Sequence, residues 1–92
     1  LPNRKKNPSA EKALRRDARK AVYRGKVRTQ TRTEIKKTRA LIASGNLVAA
    51  EKALQEAVSA LDKAAEKGVI HRNNAARRKA RLMIALNKAR AA

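Results

Sequence analysis

Apolar residues recur at helical spacing through the middle of the chain. Leu47, Ala50, Leu54, Ala57, Leu61 and Ala64 follow at intervals of three, four, three, four and three, the narrow seam of a helix packed among other helices. Further on, Ala76, Ala80, Leu82, Met83, Leu86 and Ala89 mark an apolar stripe, with Arg77, Arg78, Arg81 and Lys88 on the other side. Ahead of the seam, Val27, Thr31, Ile35, Thr38 and Ile42 form one stripe, and Leu14, Ala18, Val22 and Gly25 a weaker one. At 100° per residue these two point roughly half a turn apart, so no single partner surface buries both.

Local signals divide the pattern into elements. Gly45 and Gly68 each follow a helical stretch and read as stops, because glycine takes the left-handed conformation just past a helix end. Asn46 reads as the N-cap of the following helix and Ser9 as that of the first. Pro2 and Pro8 sit best outside a helix. The reading is an all-α fold: a basic, disordered tail over residues 1–8, then one three-helix domain over 9–92, with helices near 9–44, 46–67 and 72–90. The first helix spans on the order of 50 Å, about twice the length of those that pack on it. Its basic N-terminal half therefore projects beyond the bundle, and residues 1–30 are expected to be largely disordered until a partner covers them.

Composition sharpens this picture. Lys plus Arg number 25 against 7 Asp plus Glu, a net charge of +18 on 92 residues. Residues 1–40 carry 15 basic and 3 acidic side chains, residues 41–66 carry 2 and 4, and residues 67–92 carry 8 and none. Two basic segments flanking a nearly neutral one indicate a polyanionic partner for the flanks. The absence of cysteine excludes a disulfide scaffold and a thiolate site. Apolar runs such as Leu47 to Ala50 and Leu82 to Leu86 are far too short to span a bilayer. A membrane-surface helix needs a wide apolar face opposite its charge, which the first helix lacks.

Catalysis is poorly supported. Seven scattered carboxylates and one imidazole, His71, make no acid–base site, and no Gly-rich phosphate loop or metal-ligand spacing occurs. No cofactor or small-molecule substrate is expected, and self-association is not. Nucleic-acid binding is the strong signal. Arg supplies 13 of the 25 basic residues, and its planar fork matches phosphate. Candidate contacts are Arg4, Lys5 and Lys6 in the tail. On the first helix they are Lys12, Arg15, Arg16, Arg19, Lys20, Arg24, Lys26, Arg28 and Arg32, and on the third Asn74, Arg78 and Lys88. Tyr23, the only aromatic residue, reads as a packing or helix-face tyrosine rather than a stacking platform. His71 reads either as a cap or polar packing residue at a helix start, or as an RNA contact beside Arg72, Asn73 and Asn74. Val69 and Ile70 read as a plug closing the turn between helices two and three. Binding of RNA by shape and backbone, and compaction of DNA, both remain open on these grounds.

The segment A-E-K-G-V-I-H-R-N-N-A-A-R-R-K-A-R-L, residues 65–82, resembles the signature of the bacterial-type small-subunit ribosomal protein S20 family. Lys67-Gly68, Ile70 to Asn73, Ala75 to Arg77, Lys79 and Arg81-Leu82 carry the match. The basic N-terminus, long basic helix and G-N turn before an alanine-rich helix agree in kind, while the start L-P-N-R-K-K-N-P-S departs from the family. The resemblance implies a three-helix bundle with one extended helix, bound to the 16S-type rRNA of the small ribosomal subunit in a cytoplasmic or organellar ribosome, where it joins separate rRNA helices. It carries RNA contact over to Lys67, His71, Arg72, Asn73, Arg77, Lys79 and Arg81 as motif positions.

Overall fold

Three helices follow one another in the computed structural model, which describes residues 8–92. They are α1 (Pro8–Ala43), α2 (Leu47–Glu66) and α3 (Arg72–Ala91), with no strand among the described residues. Of the tail expected over residues 1–8, residues 1–7 lie outside the described residues. Pro8 opens α1 instead of preceding it, which a proline tolerates because the first N–H of a helix has no intrahelical acceptor. Ser9 therefore lies in the first turn and is not the N-cap.

Both glycines end their helices as the sequence indicates, at φ 81° for Gly45 and 75° for Gly68. The Gly45 N–H donates to the Ile42 carbonyl and that of Asn46 to Leu41, each at 3.1 Å. The Gly68 N–H donates to Ala65 at 3.0 Å and that of Val69 to Ala64 at 2.9 Å. Each pair is the Schellman arrangement, which satisfies two carbonyls the helix end leaves open. Asn46 then caps α2, its side chain accepting from the Ala49 N–H at 3.3 Å.

Helices two and three fold back on the C-terminal part of α1. Ile35, Ala57, Leu61, Ala75 and Leu82 form the centre of the core, with Leu54, Ala65 and Ile70 packed against it. The α1 stripe is as expected: Thr31, Ile35 and Thr38 are buried, Val27 and Ile42 half-buried. The two threonines enter the apolar interface because their hydroxyls donate back along the helix, to the Val27 carbonyl at 2.9 Å and the Glu34 carbonyl at 2.8 Å. Val69 is buried and Ile70 half-buried, so together they close the turn between α2 and α3.

The register of α3 differs from expectation. Ala75, Leu82 and Leu86 are buried, with Lys79 and Ala89 half-buried between and after them, whereas Ala76, Ala80 and Met83 are exposed. The true seam steps 75, 79, 82, 86, 89, and half-buried Lys79, through its aliphatic stem, takes the place in the seam that the pattern gives to Ala80. On α2, Ala53 is buried and Leu54 only half-buried. The small side chain sits in the tightest part of the interface and the large one at its edge.

The N-terminal half of α1 stands clear of the bundle, giving a molecule 73 Å long and 22 × 16 Å across. Leu14 and Val22 are 69% and 59% exposed. The backbone from Pro8 onward is nonetheless helical, contrary to the expected disorder over residues 8–30. Alanine, arginine and lysine are strong helix formers, and their summed propensity outweighs repulsion between neighbouring cations.

Leu61 is fully buried in the centre of the core, so Leu61→Ala is expected to cost about 2–5 kcal/mol. Leu54→Ala should cost clearly less, as read by chemical denaturation followed by circular dichroism. Amide hydrogen exchange should also grade along α1. Residues 14–26, every one of them exposed, should exchange far faster than Thr31 to Ile42; equal protection along the helix would contradict this.

Candidate nucleic-acid interface

The basic residues fall into three groups by position. Lys12, Arg15, Arg16, Arg19, Lys20, Arg24 and Lys26 are exposed on the projecting half of α1. Their charges are open to any surface that approaches the rod. Among the described residues one ion pair tempers them, with the Asp17 Oδ1 3.9 Å from the Arg16 Nε. Gly25 also lies here, with nothing within 4 Å of the position a Cβ would take.

The second group lines a groove between α1 and α3. Its upper part is a cleft bordered by Arg28, Arg32, His71, Asn74 and Arg78, floored by Thr31, Val69 and Ile70. It runs into a second cleft bordered by Arg39, Asn74, Arg77, Arg78 and Arg81, with Ile35 at its base. Asn74 and Arg78 belong to both, and the Arg78 Nε donates to the Asn74 Oδ1 at 2.8 Å, which fixes the guanidinium between them. Six arginines thus converge from two helices, and among the described residues none is in an ion pair with a carboxylate. Facing guanidiniums repel one another, and a bound anion of matching geometry removes that cost. Arg39 is a groove residue that the sequence pattern alone does not single out. Its signal is the spacing 28, 32, 39, which returns to one side of α1, but only the position of α3 shows that this side is a groove.

The third group lies outside the two clefts of the groove. The Lys79 Nζ lies 2.7 Å from the Asp62 Oδ1, with its side chain 28% exposed, so it ties α3 to α2 and stays out of the groove. Lys67 is the C-cap of α2 and borders a cleft on the α1–α2 side. Lys88 lies exposed on α3, seven residues beyond Arg81 and eleven beyond Arg77, and so on nearly the same side as both. Arg4, Lys5 and Lys6 lie outside the described residues.

His71 is the N-cap of α3, its Nδ1 accepting from the Asn73 N–H at 3.0 Å. That bond fixes Asn73 and the ring together and leaves Nε2 for the groove the ring lines. Capping and RNA contact are thus compatible, since they use different ring nitrogens. Arg72 is exposed beside it at the turn. Among the described residues no cluster of His, Cys, Asp and Glu fits a metal ion, and no helix is long and apolar enough to cross a membrane.

Residues 5–87 match the family model described as ribosomal protein S20. The small ribosomal subunit protein bS20 of Thermomicrobium roseum is 49% identical over 87 residues, covering 95% of this chain and 85% of that protein. The protein of the same name from Dehalococcoides mccartyi is 50% identical over 90 residues, covering 97% of this chain and 98% of its own length. That from Corynebacterium diphtheriae is 53% identical over 62 residues, or 67% of this chain and 71% of the relative.

Removal of the imidazole cap in His71→Ala is expected to destabilise α3 by about 0.5–2 kcal/mol, whereas His71→Asn, which keeps a capping acceptor, should lose less. Thermal unfolding of both variants measures the difference.

Proposed function

The chain belongs to the ribosomal protein S20 family, and on that premise we propose that it is a structural component of the small ribosomal subunit that binds 16S-type rRNA directly through its basic helices. The family is one of ribosomal proteins, not of enzymes, and the chain's part in the ribosome is read as wholly non-catalytic.

The observation that carries this reading is the arginine groove between α1 and α3, whose guanidiniums lack carboxylate partners. Arginine forks donate pairwise to phosphate oxygens, and each phosphate neutralised releases condensed counterions. The groove holds one stretch of RNA backbone against the bundle. The projecting half of α1 carries cations on most of its circumference, so it suits a position between two RNA helices, with each taking one side of the rod. The bundle supplies rigidity at one end and the rod supplies reach. Arg28, Arg32, Arg39, Arg77, Arg78 and Arg81 are the groove contacts in this scheme, with Lys12 to Lys26 serving the rod. Lys79 acts through the bundle by holding α3 in place.

Replacing Arg77 and Arg81 together by Ala should leave the helical content unchanged, since both are exposed. Affinity for a structured fragment of 16S-type rRNA should fall sharply. The slope of log K against log salt should become shallower by about 1.4–1.8, from roughly 0.7–0.9 for each phosphate that the variant leaves unneutralised. The reading predicts preference for the rRNA fragment over duplex DNA of equal length. Indifference between them, or an unchanged slope in the variant, would overturn it.

A further inference from the structure

The α1–α2 side of the bundle carries a separate cleft of about 770 Å³, within the ordinary range of ligand sites. It differs in kind from the arginine groove. No arginine lines it, and its walls combine the only aromatic ring of the chain, uncharged hydrogen-bonding groups from Gln30, Gln55 and Ser59, and the carboxylate of Glu34. We propose that this cleft is a binding site for unpaired bases of single-stranded RNA, with one base stacked on Tyr23 and a base amino group held by Glu34.

The arrangement of charge sets the orientation of the ligand. The Glu34 Oε2 is shut from solvent and has no hydrogen-bond partner. No ligand reaches that oxygen, but Glu34 is half-buried and borders the cleft, so a donor entering it meets the carboxylate at its other oxygen, where a charge-assisted hydrogen bond is favoured. A phosphate there is repelled. Lys52, Lys63 and Lys67 also border the cleft, and all three are exposed. The remaining carboxylate, Glu56, is engaged by the Lys37 Nζ at 3.7 Å. Acceptor inside and cations outside is the polarity of a nucleotide with its base inward and its phosphate in solvent. The exocyclic amino groups of cytosine, adenine and guanine supply the donor, whereas uracil has no amino group and offers only its ring N3–H.

Tyr23 supplies the second requirement. Tyr23 is 46% exposed although it borders a cleft, so a flat partner has room to cover it. Stacking on a tyrosine needs an unstacked base, which single strands present and duplexes do not. Tyr23 and Glu34 are eleven residues apart on one helix, about 16 Å along its axis. One base cannot meet both, so the ligand is a short single-stranded run laid along the cleft. This inference rests on the proposed rRNA binding and adds a second surface to it, on the far side of α1 from the arginine groove.

The chain reports on itself, because Tyr23 is its only tyrosine and it has no tryptophan. Ultraviolet-excited emission of the full chain therefore comes from Tyr23 alone. Titration at moderate salt with single-stranded oligocytidylate should quench that emission, while an RNA duplex of equal length should bind without comparable quenching. Tyr23→Ala should weaken oligocytidylate binding by about tenfold or more and leave duplex binding unchanged, and Tyr23→Phe should retain both. Oligocytidylate should be preferred to oligouridylate, and Glu34→Gln should abolish the preference, because an amide pairs with either base. Duplex or rRNA binding without any tyrosine quenching by single strands would overturn the cleft and leave the rRNA reading intact, as would equal losses in Tyr23→Ala and Tyr23→Phe. Failure of every RNA to bind would overturn both.

Discussion

The close approach of α2 to its neighbours is the constraint on which the rest depends. The chain has few large apolar side chains, and among the described residues the buried large aliphatics are only Ile35, Leu61, Val69, Leu82 and Leu86. A core this sparse packs well only if the helices come near one another, and Ala50, Ala53, Ala57 and Ala64 allow that, each almost completely buried. A larger residue at those positions would push the helices apart and leave Leu61 facing a void. The same closeness explains Thr31 and Thr38, small side chains whose hydroxyls are satisfied within α1 and so ask nothing of the interface.

Charge is sorted by this packing. Three of the four carboxylates of α2 reach outward to cations of the neighbouring helices: Glu56 to Lys37 of α1, and Asp62 to Lys79 and Glu51 to Arg90 of α3. Exposed pairs of this kind contribute little stability individually. Their larger effect is to take up cations that face α2 while the arginines facing away from it keep no partner. The nearly neutral middle of the sequence is therefore what lets a chain of net charge +18 present its excess as a groove and a rod. The bundle remains intact where acid and base meet.

Two surfaces of unlike chemistry follow on opposite sides of α1. Guanidiniums crowd the α3 side, which suits phosphate and no particular base. The α2 side mixes a carboxylate, amides, a hydroxyl and one ring, which suits bases and disfavours phosphate. A helix wedged between these surfaces is a spacer with different faces, and the projecting half extends the same axis beyond the bundle. The helical conformation of that half rests on intrinsic propensity alone, so its order in the assembled state depends on what it touches.

Much of the fold was legible because its determinants are local. The stops at Gly45 and Gly68, the cap at Asn46 and the stripe from Val27 to Ile42 each depend on a few neighbouring residues, and each stands where the sequence puts it. The resemblance in residues 65–82 carried the family. The register of α3 was not legible. Ala75 and Ala76 are the same residue type, so composition cannot say which faces inward, and a shift of one position turns the helix by 100°. Only Leu82 and Leu86, packed against α1 and α2, fix the phase, and that phase sends Lys79 to Asp62 and Arg77 to the groove. The groove, the contribution of Arg39 to it, and the cleft at Tyr23 are likewise absent from any single helix. Each is made of side chains distant in sequence, and only the crossing of α1 with α2 and α3 brings them within reach of one ligand.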